Sequence, residues 1–138
     1  MNDAFVADAS VGVAWVHPAQ ATPQTRLLLQ AVYDGAPVEV PAIWSLEISN
    51  ALLVLVRRKK LFEAERQAAL AALRMVAVKI DHEMSVLAFT KLSAIASKYQ
   101  LSVYDAAYFE LAQRRKLPLA GKDGPPREAA TRANIKVL

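Results

Sequence analysis

Cysteine is absent from this 138-residue chain, which removes both a disulfide framework and a thiolate metal site and points to a reducing cytoplasm. Glycine is scarce, with four residues, and seven prolines are the other strong breakers, so most of the chain is expected in regular structure. No apolar run approaches the ~20 residues needed to cross a bilayer, and no basic-then-apolar leader opens the sequence. A membrane location is therefore not expected. A glycine-rich phosphate loop is also missing, which argues against a nucleotide-binding enzyme. Ser10 has no paired histidine motif, so serine hydrolase chemistry is not indicated. His17 and His82 stand apart from each other and from any ligand spacing.

What is present suits one globular domain spanning 1–138. The apolar share of 54% and charged share of 22% are those of a folded chain with a core. A formal charge of +4 leans weakly toward a polyanionic partner. Phe5-Val6-Ala7 reads as a buried strand, Val38-Glu39-Val40 as a second, 76–80 as a third and 117–120 as a fourth, with 135–138 closing the chain as a strand. Helical spacing is expected over 22–33, 42–56, 63–74, 85–98, 102–116 and 126–133. Short apolar strands alternating with helices argue for an α/β fold around a mostly parallel sheet. In such sheets chemistry gathers beyond the carboxyl ends of the strands.

Most of the thirteen acidic residues have ordinary explanations. Asp34 precedes a turn glycine, and Glu39 fits the polar face of a two-sided strand. Glu63, Glu65, Asp81 and Glu83 suit helix N-termini. Glu110 and Glu128 read as solvated helix positions beside basic residues. Four acids remain. Asp8 ends the first strand, either as a helix N-cap or as a carboxylate facing the crevice. Glu47 falls on a helix stripe written Ile43, Glu47, Asn50 and Val54. An unpaired carboxylate there would cost several kcal/mol, roughly the price of any buried ion without a partner. Asp105 follows Ser102 by three residues, as in a capping box. Asp123 follows the fourth strand and precedes Gly124, which also suits a plain turn.

These four acids occupy ends or approaches of units that an α/β sheet would gather. Two carboxylates ~4 Å apart repel by about 4 kcal/mol at an effective dielectric near 20, so a cluster needs a cation or captured protons. All-oxygen ligation suits Mg²⁺ or Mn²⁺ rather than zinc. Such ions activate water and clamp displacement at phosphorus.

Three segments, Phe5-Val-Ala-Asp8-Ala-Ser10-Val, Pro41-Ala-Ile-Trp-Ser-Leu-Glu47-Ile-Ser-Asn50-Ala-Leu and Leu101-Ser-Val-Tyr-Asp105-Ala-Ala-Tyr108, resemble in order and spacing the PIN-domain ribonucleases. The likeness is greatest to VapC-type toxins of toxin–antitoxin modules. The resemblance implies a three-layer α/β/α PIN-like fold with a central, mostly parallel sheet. It also implies Mg²⁺- or Mn²⁺-dependent endoribonuclease activity, a homodimer and inhibition by a cognate antitoxin. Asp8, Glu47 and Asp105 fall on the family's acidic metal positions, and Ser10 and Asn50 on its supporting polar positions. At the fourth acidic position, Asp123, the family usually carries Thr or Ser two residues earlier. Here the segment reads Gly121-Lys122-Asp123-Gly124.

Three other readings compete. A housekeeping PIN nuclease would have no antitoxin, and a binding module could keep the fold without activity. A phosphatase with Asp8 as nucleophile would want a second acid where Ser10 stands. The basic clusters 57–60 and 114–116 suit helix C-termini or an RNA path. Tyr104, Tyr108 and Phe109 read as core aromatics more than as base-stacking platforms.

Overall fold

The computed structural model of the chain describes residues 3–122 and 124–138. Phe5–Ala7 (β1) and Val38–Pro41 (β2) lie side by side at the centre of its sheet, wholly buried. Parallel strands covered on both faces must be apolar almost throughout, which is why these short runs could be read directly. Lys79–Asp81 (β3) extends the sheet beyond β2, and Leu119–Ala120 (β4) pairs with the other side of β1. All pairings are parallel, with Phe5 opposite Val38, Val40 opposite Ile80 and Val6 opposite Leu119.

Ala9–Val16 (α1) and Pro23–Tyr33 (α2) connect β1 to β2, and Ile43–Arg57 (α3) and Glu63–Arg74 (α4) connect β2 to β3. The return to β4 runs through Met84–Leu87 (α5), a π-helical turn at Ala88–Leu92, Ser93–Tyr99 (α6) and Val103–Arg115 (α7); Pro125–Arg132 (α8) follows β4. Right-handed crossovers moving in opposite directions put α1–α4 on one face and α7 on the other. The strand order β3-β2-β1-β4 therefore contains a switch point between β1 and β4, where a crevice opens at the carboxyl ends.

The main core joins β1, β2 and β4 to Val11, Trp44, Ile48, Leu52, Tyr108 and Leu111. A second cluster packs Leu92, Ile95, Phe109 and Ala129 on the other side of α7. Sandwiched between sheet and outer helices, α7 is buried continuously from Ala106 to Ala112. Among the described residues, no helix is long and apolar enough to cross a membrane.

Several expectations need correction. The third strand sits at Lys79–Asp81 rather than 76–80, and the closing strand reduces to one bridge between Leu119 and Val137. The expected helix 85–98 is broken by the π-helical turn. Glu39 and Glu110 are not solvated. Glu39 is buried in central β2, where Arg115 donates to it at 2.9 and 3.3 Å. Glu110 is 2% exposed and accepts from Arg114 at 2.9 Å and Lys91 at 3.3 Å.

Gly12 sets how closely α1 approaches α3. A Cβ there would overlap Ile48 Cδ1 and stand 2.9 Å from Trp44 Cζ2. Overpacking a filled core costs roughly 1–3 kcal/mol. Gly12→Ala is expected to lose stability on that scale in urea denaturation, although alanine favours a helix. A neutral or stabilising result would refute the tight contact.

Candidate active site

Asp8 emerges directly from β1 at the switch point, where its N–H donates to the Ala120 carbonyl of β4 at 3.0 Å. Its carbonyl accepts from Trp44 Nε1 at 3.2 Å, tying the strand end to α3. The side chain caps α1: Oδ1 accepts from Val11 N–H at 3.2 Å and from the Ser10 hydroxyl at 2.6 Å. The cap and the crevice-facing carboxylate are thus one residue, with one oxygen used for each. A Cβ at Gly121 would lie 2.8 Å from Asp8 Oδ2, so the backbone just past β4 forms the wall against that second oxygen.

Glu47 reaches the same crevice from α3, and the Tyr108 hydroxyl donates to its Oε1 at 2.6 Å. Asp105 enters from the first turn of α7. Ser102 caps that helix by accepting the Asp105 N–H at 3.0 Å. The return bond of a capping box does not form, so the Asp105 carboxylate keeps its lone pairs for the crevice. Asp105 and Tyr108 are three apart on one helix and therefore share a face. Together with Ser10, Gln20 and Lys122, these acids line an open cleft of about 400 Å³.

The electrostatics carry the signature of crowded carboxylates. Burial pushes Asp8 above the usual carboxylate range, its bonds from Ser10 and Val11 pull it back, and the Asp105 charge raises it further. Burial likewise raises Glu47; the Tyr108 hydroxyl opposes this, and Asp105 and Asp8 add to it. Burial first, then the bond to Glu47, raises the Tyr108 phenol, which stays a donor at neutral pH.

Among the described residues, no three acidic or histidine side chains converge as they stand on one metal position. The donor set still fits a hard divalent ion. All the donors are oxygens, and Mg²⁺ commonly keeps several waters while using one or two carboxylates. Two of the three acids are held by partners that leave an oxygen over.

One expected supporting residue stands apart from this group. Asn50 is exposed and does not line the cleft. The buried stripe of α3 is Trp44, Ile48 and Leu52, not Ile43, Glu47, Asn50 and Val54. Glu47 stands about 100° around the helix from Ile48 and Asn50 about 160°, so Glu47 lies at the margin of the buried face and Asn50 beyond it. Asp123 lies outside the described residues. The sequence reading did not assign Tyr108 or Lys122 to the site. Spacing on α7 could have indicated Tyr108, whereas Lys122 carried no signal beyond its place after β4.

No family model matches the chain, and no curated protein matches it. Solved structures do. PAE2754 from Pyrobaculum aerophilum is 18% identical, with a TM-score of 0.69 over 94% of this chain and 81% of that one. VapBC2 from Rickettsia felis, bound to a DNA fragment from its promoter, is 11% identical, with a TM-score of 0.67 over 98% of this chain and 97% of that one. A toxin–antitoxin complex from Klebsiella pneumoniae is 17% identical, with a TM-score of 0.56 over 86% of each chain. At these identities the likeness is one of fold. The PIN-like α/β/α arrangement implied by the sequence resemblance is the fold observed.

Proposed function

We propose that this chain is a metal-dependent endoribonuclease and the toxin half of a toxin–antitoxin pair. The observation that carries this reading is the gathering of Asp8, Glu47 and Asp105, from three separate segments, on one cleft at the switch point of a parallel sheet. The fold shared with a toxin–antitoxin complex supports the second half, and a cognate antitoxin and a homodimer belong to the same reading.

Asp8, Glu47 and Asp105 would hold Mg²⁺ or Mn²⁺, with Asp123 a further candidate. Such an ion, when bound, supplies Lewis acidity at phosphate and a hydroxide source near neutral pH. The chain's own residues do the positioning. Ser10 and the α1 N-terminus fix one oxygen of Asp8, leaving Oδ2 toward the Gly121 wall. The Tyr108 hydroxyl holds Glu47 and favours its ionised form.

Tyr108→Phe is therefore expected to slow cleavage roughly 10–100-fold, the usual scale for losing a partner that orients a ligand. It should also cost about 1 kcal/mol of stability for the lost hydrogen bond. Because that bond lowers the Glu47 pKa, the acidic limb of the pH–rate profile should move to higher pH. A profile that stays in place would show that Glu47 titration is not linked to the rate.

The deciding experiment incubates purified protein with RNA, with and without Mn²⁺ or Mg²⁺. Cleavage should require the ion, and expression should arrest growth unless a neighbouring small gene product is present. Metal-independent cleavage would sink the mechanism. Cleavage without growth arrest would leave a housekeeping nuclease, and absence of cleavage would favour a binding module. Lys122 on the cleft is the observation favouring that last alternative, because its positive charge opposes the entry of a metal cation.

A further inference from the structure

Lys122 belongs to two cavities. It lines the acidic cleft beside Asp8, Glu47 and Asp105, where it is the only cationic side chain among the described lining residues. It also lines a neighbouring cavity of about 560 Å³ between α1, α2 and the α8 end of the chain. That volume is within the ~300–1,000 Å³ range of ligand pockets.

The second cavity is less acidic than the first. No Asp or Glu is among its described lining residues; Lys122 and Arg127 stand on it, and Arg127 donates to an oxygen of the terminal Leu138 carboxylate, which lines it too, at 2.5 Å. Val11, Leu28 and Val137 give it an apolar floor, and Gln24 stands at its polar rim. Lys122 and Gln24 make no side-chain hydrogen bond or ion pair with another described residue. Arg127 donates to the Gly121 carbonyl at 3.0 Å, which fixes the segment carrying Lys122 to α8.

An RNA phosphate entering a cleft of three carboxylates meets like charge, and each such pair at ~4 Å costs about 4 kcal/mol at an effective dielectric near 20. An ammonium at the edge of the cleft offsets part of this. An apolar floor with a polar rim suits a base out of its stack, as single-stranded RNA offers. We propose that the second cavity binds the nucleotide flanking the scissile bond of a single-stranded RNA, with Lys122 holding the phosphate that joins the two cavities. This rests on the nuclease reading above and adds to it a subsite that selects substrate.

The test titrates the isotope-labelled full chain, in metal-free buffer, with common ribonucleoside 5′-monophosphates and separately with inorganic phosphate. At least one mononucleotide should shift the Thr25 and Leu28 amides, and inorganic phosphate alone should not. Lys122→Met should weaken that binding about tenfold, the scale of one charge-assisted hydrogen bond, and Gln24→Ala should change the ranking among bases. Mononucleotide shifts confined to other surfaces, or a Lys122→Met variant that titrates like the native chain, would overturn the proposal. Cleavage assays with Mn²⁺ separate the two readings. Binding at Thr25 and Leu28 without cleavage of any RNA removes the nuclease and keeps the cavity as a nucleotide site. Cleavage by the native chain, with KM unchanged in both variants, removes the cavity from the RNA path and leaves the nuclease intact.

Discussion

Asp8→Asn is expected to abolish RNA cleavage while making the metal-free protein more stable. The two effects share one cause. Asp8 is partly buried, its carboxyl is raised by that burial, and Asp105 adds like charge. A carboxylate whose folded pKa lies above its unfolded value opposes folding once it ionises. The penalty is absent below the unfolded value and grows as pH rises through the folded one. Glu47 is raised in the same sense, so the native metal-free chain should lose stability from the ordinary carboxylate range upward. Asparagine removes the charge and keeps an oxygen to accept from Ser10 and Val11, so the helix cap survives. A gain of about 1 kcal/mol is the expected scale for relieving strain of this kind at a functional site. The loss of activity should be far larger, roughly 10³-fold or more, because a metal site supplies several kcal/mol of transition-state stabilisation. Mn²⁺ should raise the melting temperature of the native chain and have little effect on the variant. Chemical denaturation across pH, with and without Mn²⁺, checks all three statements. A destabilised variant would mean that Asp8 serves the fold alone.

The largest stability loss is expected at Arg114, far from any proposed chemistry. Its guanidinium lies between two carboxylates, donating to Glu110 at 2.9 Å and to Asp81 at 2.7 Å. Glu110 is the buried member, with its side chain 3% exposed, while Arg114 keeps 30% of its own surface. Removing one partner of a buried pair strands the other and costs roughly 3–5 kcal/mol. Lys91 still reaches Glu110 at 3.3 Å and Arg114 is partly solvated, so Arg114→Met should fall near the lower limit, about 3 kcal/mol. For a chain of this length that corresponds to a melting point lower by ~10 °C. Arg114→Met combined with Glu110→Leu should recover most of it, since an apolar pair of similar volume is often neutral in such a position. Failure of the double variant to recover would place the loss in packing rather than in the stranded charge. Arg114 also holds the Asp81 carboxyl below the usual range. That contribution is present above the unfolded pKa and lost as pH falls through the folded one, so the variant should have a flatter acid limb.

The parts of this architecture that could be read in advance are those fixed by local chemistry. Phe5-Val6-Ala7 and Val38-Glu39-Val40 announce buried strands because parallel sheets tolerate little polarity. Asp8 and Asp105 were recognisable as strand-end and helix-start residues; capping and facing the cleft coexist in Asp8, whereas Ser102 caps α7 and leaves the Asp105 carboxylate to the cleft. Glu47 was singled out from a stripe centred on the wrong residues, and it reaches the cleft because it borders the true stripe at Trp44, Ile48 and Leu52. Asn50 lies away from the cleft for the same angular reason. Glu39 and Glu110 looked solvated because their burial depends on α7 crossing the far face of the sheet, a property of topology that no short window contains. Lys122 joins the cleft through the β1–β4 pairing, which is equally invisible from neighbouring residues.

That pairing also has a consequence in time. Val6 is held beside Leu119, and Gly121 and Lys122 complete the walls around Asp8. Contacts of such sequence separation close late, after the loop entropy between them has been overcome. During synthesis the first three strands and their helices can leave the ribosome and begin to pack while the cleft has only one side. The cleft is therefore complete only once residues 119–122 have come to lie beside β1 and closed around Asp8.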